Sequence, residues 1–347
     1  MNRSRRLIAA AAAISVLGVG LAFSTRLTGT ARAAVGPVPP EALALPADSS
    51  ILMGFDVRAL TGSQFYAKFG QEGEPGRVEA LAEIERKTGL NPERDIDAVV
   101  VAIRADPGKS AEGAQKRDHD NALVFVTGRF DAARLESSIP EAGKISKERR
   151  DGVTLYRGAA EKPHGVVALL DAGILVAGSA EAVETFLTNR ATGHGIRDSR
   201  QLVSQLETIE PGSTFWAVGG PSVLSRVTSE VGGAAANLPA VKQVVAYGHL
   251  DPEVGMTATA EATDAKSATK IADVLRGFSA MLSLQAGQKA ELAQIADSIS
   301  VATEGDKVHV KATITHELID SLKKSATESH KAHKARKAIE DVEVEIH

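Results

Sequence analysis

Residues 49–56 are Ser-Ser-Ile-Leu-Met-Gly-Phe-Asp, and this stretch decides the fold class because a strand leads directly into a helix. The apolar run predicts a buried strand, and apolar residues then recur at helical spacing from Val57 to Phe69. The same succession is predicted at Ser213–Val218, where Ser-Thr-Phe-Trp-Ala-Val passes through a Gly-Gly-Pro corner into a helix over Ser222–Val231. Strands and helices of this kind, mixed along one chain, indicate an α+β protein.

The order of elements around these two strands recurs. Paired strands are predicted at Ile96–Ile103 and Ala122–Thr127, and again at Gln243–His249 and Gly255–Glu261. Each pair is followed by a closing strand and helix, which are Gly173–Leu187 in the first run and Lys307–Leu322 in the second. We therefore predict mixed or antiparallel sheets packed with helices, in two similar halves in tandem.

An alignment of the two halves tests this interpretation. Ile51–Gly54 aligns with Phe215–Val218 without a gap, which places Met53 on Ala217, and Ala98–Ile103 aligns with Val244–His249. Few residues are identical, so the hypothesis concerns the order of elements. The alternative is one continuous α+β domain with similar local patterns.

The amino-terminal residues predict export. Arg3, Arg5 and Arg6 precede the apolar run Leu7–Phe23, and Ala31-Arg32-Ala33 follows with small residues at the two positions that a signal peptidase recognises. Cleavage is expected before Ala34, with an uncleaved anchor as the alternative. The Arg5-Arg6 pair resembles the twin-arginine export signal, which is a possible route. The expected location is periplasmic or secreted.

The chain divides by composition into five parts. We predict a signal peptide (residues 1–33), a linker (34–46), α+β half one (47–195), α+β half two (196–325) and a charged tail (326–347). Within the tail, Val342, Val344 and Ile346 alternate with acidic residues, which predicts a strand that could pair with an open sheet edge. The alternative is a solvated charged tail.

The charge balance excludes two classes of partner. The net charge is −4, and residues 1–33 contain five Arg and no Lys, Asp or Glu, so removing the leader leaves −9. Nucleic acid and anionic lipid both need clustered Lys and Arg, so we expect no nucleic-acid partner and membrane contact only through an uncleaved leader. The chain has no Cys, which excludes disulfides and a lipid-modified cysteine.

Short patterns found in catalytic motifs occur, but neither their order in the chain nor the elements on which they lie match those motifs. Ser267-x-x-Lys270, Ser321-x-x-Lys324 and Lys87-Thr88-Gly89 match fragments of the penicillin-binding protein signature, in the wrong order and on predicted helices. The Gly219–Ser222 corner lacks the Gly-Lys-Ser/Thr ending of a phosphate loop, and Pro221 removes a backbone donor.

No histidine-containing group in the sequence supplies enough ligands for a metal site. Asp118-His119-Asp120, the pair His330 and His333, and the pair His309 and His316 each supply fewer than three ligands at a recognised spacing. We predict no catalytic, cofactor-binding or metal-ligating residue, and no cofactor.

Leu45-Pro46-Ala47-Asp48-Ser49-Ser50, with Asp56 and Leu60 after it, resembles the start of exported bacterial α+β domains of unknown function. In those domains a Leu-Pro-x-Asp stretch opens a strand that ends in Asp and leads into a helix. The resemblance implies a mixed fold in the cell envelope and assigns no functional residue. We predict an exported, non-catalytic binding or structural protein whose partner is an unknown envelope protein or small ligand. The alternative is an envelope hydrolase with a site assembled from scattered residues.

Overall fold

The strands form a single sheet in a computed structural model that describes residues 36–70, 77–104, 122–131, 133–135, 145–158, 165–171, 173–221, 239–285 and 290–325. In those residues all strand pairs are antiparallel. The strands are β1 (Ser49–Asp56), β2 (Ile96–Arg104), β3 (Ala122–Gly128), β4 (Ile145–Arg150), β5 (Val153–Gly158), β6 (Val166–Asp171), β7 (Ile174–Gly178), β8 (Phe215–Gly219), β9 (Val241–His249), β10 (Val254–Ala262), β11 (Ile299–Glu304) and β12 (Lys307–Ile314).

Helices cover both faces of this sheet, which confirms the predicted α+β class. They are α1 (Val57–Thr61), α2 (Gln64–Phe69), α3 (Arg77–Thr88), α4 (Pro92–Asp95), α5 (Ala180–Thr192), α6 (Arg200–Leu206), α7 (Ala265–Gln285) and α8 (Ala290–Ser298), with a ninth helix, α9, over residues 316–325. No helix among the described residues is long and apolar enough to span a membrane.

Strand order is the same on either side of the sheet's centre. The sheet runs β11-β12-β10-β9-β8-β1-β2-β3-β7-β6-β5-β4, with β8 and β1 as central neighbours. Outward from β1 lie β2, β3, β7 and β6, and outward from β8 lie β9, β10, β12 and β11. We call the strands outward from β1 the first run and the strands outward from β8 the second run. Each strand of the first run therefore occupies the same place as its aligned strand in the second run. The β5–β4 hairpin extends the first run only.

The register shows a local two-fold relation between β1 and β8. Met53 pairs with Ala217, which is also its partner in the sequence alignment. Two strands related by a two-fold axis pair a residue with its own equivalent at the axis. In the next strands the alignment is wrong by one position. Met53 pairs with Val101 and Ala217 pairs with Ala246, so Val101 corresponds to Ala246 and not to Tyr247. A one-residue shift exchanges the two faces of a strand.

The larger core lies on one face of the sheet, hereafter the first face, beneath α5 and α6. Phe125 of β3 and Phe186 of α5 are fully buried there, with ring centroids 5.8 Å apart. Leu52 of β1 and Trp216 of β8 belong to the same core, so both runs contribute to it. On the opposite, second face, α1–α4 cover part of the first run, and α7 packs on β10, β12 and β11 through Ile271 and its neighbours.

Residues 34–46, predicted to be a linker, contribute several buried side chains to the core in the part that the structure describes, residues 36–46. Val38 and Leu45 are buried, and a short helix over Pro40–Ala44 lies between them. The amide of Asn189 in α5 donates to the Ala44 carbonyl at 3.1 Å. The prediction was wrong because the Pro- and Ala-rich composition hid an apolar stripe whose partners are about 150 residues further along the chain.

Further elements differ from the sequence prediction. The helix expected over Val57–Phe69 is two helices, because Gly62 ends α1 and the Ser63 hydroxyl accepts the Tyr66 amide at 3.0 Å to start α2. Strand β4 and helix α6 were not predicted, since β4 consists mostly of charged residues and α6 is short. Residues 1–33 and 326–347 lie outside the described residues.

Candidate functional site

The Ser-x-x-Lys patterns have structural roles. The Ser267 amide donates to Asp264 at 2.8 Å at the start of α7, and the Thr263 hydroxyl lies 3.3 Å from the Ser267 hydroxyl. The Ser321 hydroxyl donates to the Glu317 carbonyl at 3.2 Å within α9. In the Lys-Thr-Gly triplet, the Thr88 hydroxyl donates to the Ile84 carbonyl at 2.7 Å. Each described hydroxyl therefore makes a local contact of a helix or its first turn, with no lysine as its partner in these bonds.

The residues of the glycine corner and the histidines also lie at different places in the structure. Gly219 belongs to β8, and the Gly220 amide donates to the Ser50 carbonyl at 3.0 Å. His309 lies on β12 beside Thr259, whereas His316 is buried against Phe65 and Phe69 and bonds the Leu250 carbonyl at 3.0 Å. Ser222, His119, His330 and His333 fall outside the described residues. Within the described residues no group of three potential metal ligands exists.

A polar surface occupies the first face of the second run. The register places its side chains in three rows across neighbouring strands. We call this surface the polar face, and its members are Thr257, Thr259 and Glu261 of β10, Lys307, His309 and Lys311 of β12, and Ser300, Ala302 and Glu304 of β11. All nine are half-buried or exposed.

The equivalent surface of the first run is apolar and covered. Phe125 pairs with Val176, and both are fully buried beneath α5. The matching pair in the second run is Thr259 with His309, whose side chains hydrogen-bond to each other at 3.1 Å. After β12, α9 packs against α2, since Lys68 pairs with Asp320 at 2.8 Å. The same sheet position is thus core in one run and a polar surface in the other.

A hydrogen-bond network borders the polar face. Gln205 of α6, only 1% exposed, donates to the Gln243 side chain at 3.0 Å, and Gln243 donates to Glu261 at 2.8 Å. Lys242 contacts Glu261 at 3.1 Å and Asp306 at 2.8 Å. The hydrogen bond between Lys242 and Asp306 raises the pKa of the ammonium and lowers the pKa of the carboxyl.

Two buried polar atoms in this region lack a hydrogen-bond partner among the described residues, Oε1 of Gln205 and Nε2 of His309. The nearest carboxylate to the histidine nitrogen, that of Glu304, is 3.7 Å away, which is too long for a hydrogen bond. Buried polar atoms normally have partners, so this region has unused hydrogen-bonding capacity.

An apolar surface lies at the end of α7. Phe278, Met281 and Leu284 are 41%, 46% and 84% exposed, and they follow one another at intervals of three residues. Together with Gly277 they form what we call the apolar tip. Residues three apart are neighbours on a helix surface, so the three side chains form a row that winds around the last two turns. Large side chains this exposed, clustered on one helix, are typical of an interaction surface.

The earlier turns of α7 explain why the tip is held in place. Ala268, Ile271 and Ala272 are buried against β10 and β12. Further along, the Ser279 hydroxyl donates to the Ala296 carbonyl of α8 at 3.0 Å. Arg276 donates to the Val301 carbonyl of β11 at 3.2 Å. The earlier turns of α7 are therefore fixed to the sheet and to α8, and the side chains of the apolar tip follow at the carboxy-terminal end of the helix.

Comparisons with known proteins identify no family. No family model matches the chain, and no curated protein does. Solved structures of the protein TP0453 are similar to it. Crystal form I has 13% sequence identity and a TM-score of 0.46, and the match covers 83% of this chain and 98% of that chain. Crystal form III has 13% identity and a TM-score of 0.46, over 81% of this chain and 96% of that chain.

Neither surface was predicted as a site, although each has a signal in the sequence. No charged residue occurs from position 277 to 288, which includes the last turns of the predicted helix. The polar face is visible as alternation in Lys307–Ile314, where Lys, His and Lys alternate with Val, Val and Ala. Such signals indicate which face of a helix or strand is apolar or polar. Only the tertiary structure shows whether other residues cover that face.

Proposed function

We propose that this protein is an exported, non-catalytic binding protein of the cell envelope, which docks an apolar surface of a partner protein on its apolar tip. The observation that supports this is the exposure of Phe278, Met281 and Leu284 at the end of a helix whose earlier turns are fixed to the sheet. Solvent exposure of such side chains is unfavourable by about 25 cal/mol per Å² of apolar area, and a partner would remove that cost.

A protein partner fits the tip better than a lipid surface. Helices that bind membrane interfaces have Lys and Arg on the polar side, which attract anionic lipid. The last turns of α7 after Arg276 contain none, and the chain without its leader has a net charge of −9. Small residues beside the stripe favour close contact between helices, and a Cβ at Gly277 would meet no atom within 4 Å. The tip therefore suits a helical apolar partner.

Site-specific photo-crosslinking tests the partner. A photoreactive residue at Leu284 of the exported chain should give a discrete protein adduct in intact cells. Lys270, exposed on the same helix, is the matched control position and should give none. The change Phe278→Ser should abolish the adduct at Leu284 without unfolding the protein, because Phe278 lies largely outside the core. Adducts that contain only lipid, or that are identical at both positions, would contradict the proposal.

Export can be tested by determining the amino-terminal residue of the protein isolated from its native cells. Because Ala31 and Ala33 suit signal peptidase, mass spectrometry of the envelope fraction should show a chain that begins at Ala34. A chain that keeps Met1–Arg6 would show an uncleaved leader. A chain found only in the cytoplasm would contradict the proposed location.

A further inference from the structure

The polar face of the second run is the surface that a helix covers in the first run. There α5 lies over the strands outward from β2, whereas α9, which follows β12, contacts α2 through Lys68 and Asp320 at 2.8 Å. Ser300, Ala302 and Lys311 of the polar face are exposed. Three neighbouring strands therefore present polar side chains to solvent.

The polar face combines groups that only donate hydrogen bonds with groups that only accept them. The ammonium groups of Lys307 and Lys311 donate, and the carboxylates of Glu261 and Glu304 accept. The two positive and two negative charges cancel when His309 is neutral. An anionic ligand would meet both carboxylates, and a cationic ligand would meet both ammonium groups. A neutral ligand that donates as well as accepts can use all four.

The unpartnered nitrogen of His309 lies where such a ligand group fits. The Thr259 hydroxyl is 3.1 Å from Nδ1, and when it donates to that nitrogen the ring proton is on Nε2. Nε2 has no hydrogen-bond partner among the described residues, and the Glu304 carboxylate is 3.7 Å from it. A hydroxyl oxygen about 2.8 Å from both atoms would accept from Nε2 and donate to the carboxylate.

The neighbouring side chains hold the site and add an aromatic ring to it. Gln243 donates to Glu261 at 2.8 Å and Lys242 contacts the same carboxylate at 3.1 Å, so its position is fixed. Tyr247 of β9 pairs with Thr257 and packs against the first-face core while remaining half-buried. Ligand sites commonly combine aromatic side chains with a few placed polar groups. Sugars need both, since a sugar ring has an apolar face and a rim of hydroxyl groups.

A glycan fits this surface better than a protein does. The centre of a protein interface is rich in large apolar and aromatic side chains, and charged residues are depleted there. The exposed members of the polar face are instead charged or small, namely Lys307, Lys311, Glu304, Ser300 and Ala302.

We propose that the polar face binds a neutral glycan of the cell envelope. A sugar hydroxyl bridges His309 and Glu304, further hydroxyls bond the lysines of β12, and a sugar ring packs beside Tyr247. This glycan site rests on the proposed export and does not depend on the apolar tip.

Photo-crosslinking in intact cells tests the kind of ligand. A photoreactive residue at Ala302, which is exposed and pairs with His309, should give an adduct that periodate oxidation and hydrazide labelling detect as a glycan. Thr303 is the matched control, because it is exposed on the same strand but belongs to the opposite face, and it should give none. An adduct that contains only protein, or no adduct at Ala302, would overturn the proposal.

Binding in vitro gives a second readout that does not depend on export. The chain without its leader is applied to an array of neutral and anionic bacterial glycans. It should bind neutral members equally at about 50 mM and about 500 mM salt, because salt screens only charged ligands. His309→Ala should weaken binding about tenfold or more, the usual loss when polar groups of a site are left unpaired.

Ala302→Leu gives a variant that removes no hydrogen bond from the fold. It should also weaken binding, because the larger side chain occupies the surface beside His309, whereas Thr303→Leu should bind as the unaltered chain does. Phe278→Ser should bind equally well, which separates this site from the apolar tip. Binding confined to anionic glycans, binding to no glycan, or equal losses in the leucine variants would each overturn the proposal.

Discussion

Gly54 shows how one residue can determine the centre of the sheet. It lies in β1 opposite Trp216 of β8, and a Cβ at this position would overlap the indole ring. Trp216 is 5% exposed and packs in the core shared by both runs. The sequence predicts both strands, yet it does not show why a glycine interrupts an otherwise bulky run. That reason is a cross-strand neighbour about 160 residues away in the chain.

The change Gly54→Val should destabilise the protein by about 3 kcal/mol, the upper part of the usual range for overpacking a core. Chemical denaturation monitored by circular dichroism measures the free energy of unfolding. Gly277→Ala is the control, because a Cβ there meets no atom and alanine favours a helix, so this variant should be equally stable or up to about 1 kcal/mol more stable. Equal effects of the two changes would contradict the role of the indole.

At the scale of elements, α9 connects the two runs through side chains. His316 is buried between Phe65 and Phe69 of α2, and Lys323 lies 4.5 Å from the Phe69 ring centroid. The sequence predicted a helix from His316 onward, but not its partner. The same limit applies to residues 34–46 and the apolar tip. Periodicity indicates which side of an element is apolar, whereas the surface that covers it comes from distant residues.

We expect α9 to loosen in acid. The hydrogen bond from Lys68 lowers the pKa of the Asp320 carboxyl below its ordinary value of about 4. A carboxyl with a lower pKa when folded stabilises the fold above that ordinary value, and the contribution disappears as the pH falls through the lower, folded pKa. Hydrogen exchange of residues 316–325 should therefore rise, relative to β9, as the pH falls from about 5 to about 2. Lys68→Ala should reduce this pH dependence, leaving the smaller effect of Lys323 and Lys324 on the Asp320 pKa, and an unchanged profile in that variant would exclude the ion pair as its cause.

The whole molecule is organised around the contact of β1 with β8. The strand order is the same outward from β1 and from β8, and the division into two similar halves in tandem stays a prediction. Their union in one sheet was not anticipated, because strand partners 160 residues apart leave no local pattern. Leu52 and Val100 of the first run and Val218 and Val245 of the second belong to one core. Neither run can be separated without exposing that core to water.

The chain without its leader should therefore unfold as one unit. Fluorescence of Trp216, which lies at the junction, and circular dichroism of the helices should change at the same denaturant concentration. Gly54→Val should move both transitions together. Two transitions separated in denaturant would show that the runs are independently stable domains.

The burial of Val38, Leu43 and Leu45 has a consequence for how the protein is made. Their neighbours include Val183 and Leu206, which a ribosome adds roughly 10–30 s later at ordinary speeds of about 5–20 residues per second. Throughout that interval an apolar stretch near the start of the nascent chain has no native surface to cover it. A holding chaperone would find its best target there. The earliest-synthesised part of the fold is thus among the last to be completed.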